Sequence, residues 1–330
     1  MKRKAIVAAA LAAAMTATLI TGCGKSKEAA FPDPEKTITL IVPQGAGGGT
    51  DTQARQLVEA MKEVSGNNNI IVENVTGGST GTGTNQVIDS EADGYTLLMY
   101  GTYVICGTMT GYTDGFKELD FITGLSMEPF VLAVNADSPY QTLDDLIQAA
   151  KADSGKVTLG NAGATATTGV VAYGLNNALE SPFNVVSFNG GAELIPAVLG
   201  GHCDAGIFSQ SEVLANIDGL RPLVFFGEGH SVLAELQDVP NLADAGYGDL
   251  TVPGGCFRGI CAPKGTPDEA KTYVLEKAYN SDSFQNWLKE QGLLGDYSKL
   301  GDFEKYNGEM VESMKPIIKA TGLAKGEYAE

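Results

Sequence analysis

Ile38-Thr39-Leu40-Ile41-Val42-Pro43-Gln44-Gly45-Ala46-Gly47-Gly48-Gly49-Thr50-Asp51 is the segment on which the fold turns. Residues 38–42 are apolar on both alternating faces, as expected of a strand buried in a parallel sheet. A glycine-rich turn follows. Ala54, Leu57, Val58, Met61 and Val64 then recur at helical spacing and predict a helix over 51–64, with Thr50 or Asp51 as its N-cap. A helix N-terminus carries unpaired N–H groups and about half a positive charge. Glycines let that backbone approach a ligand closely, so the turn can cradle an anion. The same turn is also an ordinary strand-to-helix corner. No Gly-Lys-Ser/Thr follows it, and Gly81-Thr82-Gly83 lacks the third glycine of a dinucleotide fingerprint.

Strand, glycine turn and helix alternate outward from this segment. Strands are predicted over 70–72 and 95–100, with a glycine turn at 77–83 and a short helix over 85–90 between them. A strand over 130–135 ends at Asp137-Ser138-Pro139, where a second unit begins. Its helix over 142–152 opens with Thr142 and Asp145 placed as a capping box. Strands over 157–159, 185–188, 205–208 and 223–226 follow, with helices over 170–179 and from Asn189-Gly190-Gly191 to Leu199. The alternation predicts parallel α/β sheets. The tail from 263 to 330 shows helical spacing over 271–279, 284–291 and 303–319, and is expected to pack on the first unit. The expected division is a first lobe of 37–133 with 229–330 and a second lobe of 134–228.

Parallel sheets place such turns at the carboxyl ends of strands, where ligands bind. The candidate binding residues are therefore Gln44, Gly45, Ala46, Gly47, Gly48, Gly49, Thr50 and Asp51 on one side. Asn161, Ala162, Gly163, Ala164, Thr165, Thr167 and Thr168 face them, with Asn189 and Gly190 beside. Thr102, Asp204 and Ser209 are further candidates. Plainer roles are open as well: Asp51 and Ser209 can cap helices, Asp204 can fix a loop, and Tyr103, which ends the third strand beside Thr102, can pack. Backbone amides and hydroxyls without Lys or Arg suit a small carboxylate.

The chain begins with Lys2, Arg3 and Lys4, an Ala-rich apolar run over 5–19, and Ile20-Thr21-Gly22-Cys23. This order is that of a secretory signal over 1–22. The run is short and Ala-rich for a membrane span. Residues 23–36 are polar and read as a tether. The net charge is −18 for 330 residues, and about −21 once the three N-terminal cations are removed. Such a surface excludes nucleic acid as a partner. Cys106, Cys203, Cys256 and Cys261 permit either two disulfides or four buried thiols in an exported chain. Neither CxxC spacing nor paired histidines points to a metal, and no cofactor is expected.

Five motifs in order resemble one family. They are Ile41-Val42-Pro43 with Gly47-Gly48-Gly49-Thr50-Asp51 and Arg55; Val72-Glu73-Asn74 with Gly77-Gly78 and Gly81; Asp93-Gly94-Tyr95-Thr96-Leu97-Leu98; Gly200-Gly201 with Asp204; and Ala262-Pro263-Lys264-Gly265-Thr266-Pro267. The pattern is similar to that of the tripartite tricarboxylate transporter solute receptors, also called Bug-type receptors. Cys23 after Thr-Gly resembles a lipobox, which implies lipid on Cys23 and an anchor on the extracytoplasmic face of the membrane. The resemblance implies a two-lobed α/β periplasmic-binding-protein fold of the Venus-flytrap type and no catalysis. In that family the loops matching 44–51 and 160–168 clamp a ligand carboxylate. Gln44 and Ala46 replace the family's usual aromatic and proline, and Ala and Thr replace Ser and His over 163–168; these changes keep the cradle and leave the ligand open. The expected partners are a small organic anion and the membrane subunits of the transporter, with the receptor a monomer. Two other functions are compatible with such a chain. A sensory receptor would close on its ligand in the same way. An exported hydrolase would need a nucleophile and a base, yet Gly-x-Ser-x-Gly is absent and His202 and His230 have no visible partner.

Overall fold

Apolar strand-forming runs separated by glycine turns give two α/β sheets that share one long strand. The computed structural model describes residues 31–180, 182–227, 229–250, 252–279, 281–293 and 303–330. The signal over 1–22 and Cys23 lie outside the described residues, as does most of the tether. Residues 31–36 belong to a unit separate from 37–330.

In chain order the elements are β1 (Ile38–Val42), α1 (Gly49–Ser65), β2 (Ile70–Asn74), α2 (Gly81–Ile88), β3 (Thr96–Gly101), α3 (Thr102–Met109) and β4 (Leu119–Asn135). Then come α4 (Leu143–Ala152), β5 (Thr158–Asn161), α5 (Thr167–Ala178), β6 (Asn184–Ser187), α6 (Gly191–Leu199), β7 (Ala205–Ser209), α7 (Gln210–Ala215) and β8 (Leu220–Phe225). The chain closes with β9 (Gly255–Pro263), α8 (Asp268–Val274), α9 (Asp282–Glu290) and α10 (Phe303–Ala320). The strand order is β2-β1-β3-β9-β4-β7-β5-β6, with β8 also on β4. The expected parallel pairing holds for β1 with β2 and β3, and for β5 with β6 and β7. β4, β8 and β9 add antiparallel pairs, which leaves each sheet mixed rather than wholly parallel.

β4 decides how the two sheets meet. Its first part, 119–129, pairs β9, and its last part, 130–135, pairs β7 and β8. The strand runs with β1–β3, because β9 is antiparallel to both β3 and β4. It runs against β7, and therefore against β5 and β6. The carboxyl ends of β1–β3 consequently point at the carboxyl ends of β5–β7. The registers place the meeting line: Gly101, the last residue of β3, is level with Arg258 and hence Ser126, while Ser209, the last of β7, is level with Phe130. The chain crosses between the sheets once in β4 and returns between β8 and β9.

Where β4 crosses the second sheet, both of its faces are buried. Phe130, Leu132 and Val134 enter the main core, whereas Val131 and Ala133 enter a second core with Leu194, Val198, Phe208 and Phe225. Alternation along one strand thus serves two layers of helix. The tail does pack on the first sheet, where Tyr100, Phe121, Phe257 and Phe303 meet edge to face. It also reaches the second: a Cβ at Gly174 in α5 would lie 3.0 Å from Ile317 of α10. Among the described residues no helix is long and apolar enough to cross a membrane.

Candidate functional site

The first glycine loop leaves β1 and enters α1 through Gly48, an extended N-cap that supplies no side-chain cap. Gly47 sits at φ +83°, where a side chain would strain the backbone. The loop is held from beneath. Asp51 Oδ2 accepts from the Gly47 amide at 2.9 Å and from Arg55 Nε at 3.0 Å. Asn74, at the end of β2, donates to Asp51 Oδ1 at 2.9 Å and to the Gln44 carbonyl at 3.1 Å. Burial opposes ionisation of Asp51, but its bonds from Arg55, Gly47 and Asn74 outweigh it and hold the carboxyl below its usual value. Asp51 is therefore spent on shaping the loop, while Gly45, Ala46 and Gly47 face solvent.

The second loop repeats this design. Asn161, at the end of β5, accepts from the Gly163 amide at 3.0 Å, and Thr168 Oγ1 accepts from the Ala162 amide at 3.1 Å. Gly163 lies at φ +141°, and the loop folds so closely on α5 that a Cβ at Gly169 would collide with the Gly163 and Ala164 carbonyls. The N-cap of α5 is Ala166, again without a side-chain cap. Gly190 at φ +106° opens α6 without one, and Gly101 opens α3 without one. By contrast, Thr142 of α4 and Ser281 of α9 cap their helices with their own hydroxyls.

The two edges are joined by hydroxyls. Thr102 Oγ1 lies 2.9 Å from Thr167 Oγ1, and the Ser79 hydroxyl bonds the Thr165 hydroxyl. Tyr103, next to Thr102, donates its hydroxyl to the Met99 carbonyl within the first sheet. Ser79 and Thr102 at one edge are thus hydrogen-bonded to Thr165 and Thr167 at the other.

Of the remaining candidates, Asn189 bonds Glu193 of its own helix at 3.1–3.2 Å. Ser209 forms a capping box with Glu212. Burial raises the Glu212 carboxyl, and the Ser209 bonds only partly offset it. Asp204 is not brought to this edge. It precedes β7 and binds Thr158, the first residue of β5, at 2.8 Å from the amide and 2.6 Å from the hydroxyl. The carboxylate fixes the loop at the far edge of the sheet.

Sequence reasoning missed Ser79, Glu128, Ser211 and Arg258. Glu128 and Arg258 form an ion pair at 2.5 Å with side chains 1% and 5% exposed. Burial opposes the Arg258 charge, and Glu128 more than restores it. A lone arginine inside the apolar run over 256–262 was the available signal. Among the described residues no group of three or more His, Cys, Asp or Glu is arranged to hold a metal.

Residues 53–323 match the family model described as tripartite tricarboxylate transporter family receptor. A protein of Cupriavidus necator, the UPF0065 protein in gbd 5'region, is 31% identical over 99% of this chain and 100% of its own length. A crystal structure of a TctC solute binding protein from Polaromonas superposes with a TM-score of 0.66 at 27% identity, covering 87% of this chain and 99% of that one. MatC from Rhodopseudomonas palustris with bound malate has a TM-score of 0.76 at 20% identity, covering 87% and 100%.

Proposed function

The chain belongs to the tripartite tricarboxylate transporter family of solute receptors, and from that premise we propose that it captures a small organic carboxylate between the two glycine loops and delivers it to the membrane subunits of such a transporter. The observation that carries this is the convergence of uncapped helix N-termini. α1, α3, α5 and α6 begin at the facing strand ends without side-chain caps. Their unpaired amides and positive dipole ends suit a carboxylate without needing a lysine. Malate in a structurally similar receptor is in keeping with that chemistry. The residues assigned to contact the anion are those of 44–50 and 162–168, with Thr102 beside them. Asp51 and Asn161 shape the loops.

The lobes are assigned as 37–133 with 229–330, and 134–228, hinged where β4 changes sheet partner. Ligand contacts to both lobes favour the closed form. The chain is assigned to the extracytoplasmic face, with lipid on Cys23. It acts by binding rather than turnover.

A thermal-shift screen of mono-, di- and tricarboxylates, followed by calorimetry, tests this. A specific anion at a hundredfold over its Kd stabilises the folded form by about 2.7 kcal/mol. Stabilisation by neutral sugars alone overturns the proposal, and chemical conversion of the bound solute overturns its non-catalytic part.

A further inference from the structure

We propose that the buried Glu128–Arg258 pair is a positioning element for solute capture: it holds the first glycine loop in shape and makes that shape depend on contact with the second sheet. This rests on the receptor reading above only for what the loop binds.

Four groups stand in line. Ser211, in α7 behind β7, donates its hydroxyl to Glu128 Oε1. Glu128 Oε2 pairs with Arg258 Nη1 at 2.5 Å. Arg258 Nε donates to Thr50 Oγ1 at 3.0 Å. Thr50 is the second residue of α1 and part of the anion cradle. Gly49 packs onto the pair: a Cβ there would lie 2.9 Å from Glu128 Oε2 and 3.3 Å from Arg258 Nη2. Glu128 sits on β4 just before that strand passes from β9 to β7, and Arg258 is in β9. This series of two hydrogen bonds and one ion pair therefore starts on the second sheet, crosses the shared strand and ends on the first loop.

Stability alone is a poor reason for this arrangement. A buried ion pair is often no better than an apolar pair of the same volume. A bare guanidinium beneath a helix N-terminus would also be repelled by the helix dipole. Glu128 cancels that repulsion and leaves the directional part of the interaction, the Nε–H bond that aims Thr50. If the second sheet swings away, Ser211 leaves Glu128. The carboxylate is then free to re-aim, and Arg258 loses the partner that fixes it.

The test is hydrogen exchange by mass spectrometry on the ligand-free full chain. In Ser211→Ala, residues 44–52 exchange about tenfold faster while α4 is unchanged, the size expected for one lost bond to a charged group. The Glu128→Gln/Arg258→Met double variant already exchanges fast there, and adding Ser211→Ala has no further effect. Arg258→Lys, which keeps the charge and loses that Nε–H, also speeds 44–52. Unchanged exchange in a folded Ser211→Ala protein overturns the proposal, as does an effect of full size in the double-variant background. Calorimetry with malate, adipate and citrate separates the two readings: coupling without binding of any of the three supports the positioning role and counts against the carboxylate receptor.

Discussion

The Thr102 hydroxyl lies 2.9 Å from that of Thr167, and both residues are buried. Each is the first residue of a helix, Thr102 directly after β3 and Thr167 after the loop that follows β5. The bond ties two uncapped helix N-termini, one from each sheet. Two positive dipole ends brought together repel each other. A carboxylate lodged beside them would relieve that repulsion, in keeping with the carboxylate capture proposed above.

Thr167→Val keeps the shape and removes the hydroxyl. It leaves Thr102 with only the weaker contact to Cys256 Sγ at 3.4 Å. The expected cost is about 1–3 kcal/mol, the penalty for a buried polar group left poorly satisfied. Urea unfolding measures it. Carboxylate affinity measured by calorimetry falls alongside. A variant as stable as the parent and equally tight in binding shows that the bond does not join the two edges.

Two glycines separate backbone necessity from mere composition. A Cβ at Gly169 meets the carbonyl oxygens of Gly163 and Ala164, whereas one at Gly45 meets nothing within 4 Å. Gly169→Ala must push the second loop off α5 and costs about 1–3 kcal/mol, the range for overpacking. Gly45→Ala stays within about 0.5 kcal/mol. Thermal unfolding of the pair checks this, and equal midpoints would mean the second loop yields without cost.

How much of this was legible in the sequence depends on where each residue finds its partner. The β1 loop and α1 were legible because apolar spacing and glycines lie within a short window. The Thr142–Asp145 capping box was legible for the same reason, and it is present. The first half of β4 was not, since the polar Ser126 and Glu128 interrupt its apolar run. Their partners, Gln53 and Arg258, lie 73 residues away and on another strand. α3 was missed because it is buried all round and shows no amphipathic period. Its residues also include several that favour strands. β9 was missed because two glycines and a buried arginine interrupt its apolar run. The cysteines could not be decided from spacing. Cys106, Cys203, Cys256 and Cys261 are all free and buried, and burial raises each thiol.

Asp51 gives the first loop an acid limit. Burial pushes its carboxyl up, yet the bonds from Arg55, the Gly47 amide and Asn74 hold it below 3.8. A folded value under the unfolded one stabilises the protein above the unfolded pKa, and that stability is lost as pH falls through the folded value. Asp51→Asn is therefore expected to cost about 1–3 kcal/mol at pH 7. The difference from the parent shrinks as pH falls below the unfolded value of about 4 and through the lower folded one. Denaturant unfolding across that range is the check. A difference that does not change with pH would show that the ionised carboxylate contributes nothing beyond its shape.

Capture of an anion by this chain runs against its overall field. The net charge is −18, so a carboxylate approaches a like-charged surface before it reaches the amides of the two loops. The cationic side chains nearest those loops do not reverse this. Arg55 is paired with Asp51 at 2.9 Å, and Arg258 is buried against Glu128. Helix N-termini act only within about their first turn. The long-range part of the interaction is thus repulsive and the short-range part attractive. Salt screens the former over about 10 Å at 0.1 M and touches the enclosed contacts much less. Raising NaCl from about 0.01 to 0.15 M should speed association of a dicarboxylate severalfold, the reverse of an electrostatically steered receptor. Stopped-flow binding at the two ionic strengths decides the sign. Association that slows with salt would mean a local positive field draws the anion in, and the neutral-amide account of the site would have to be given up.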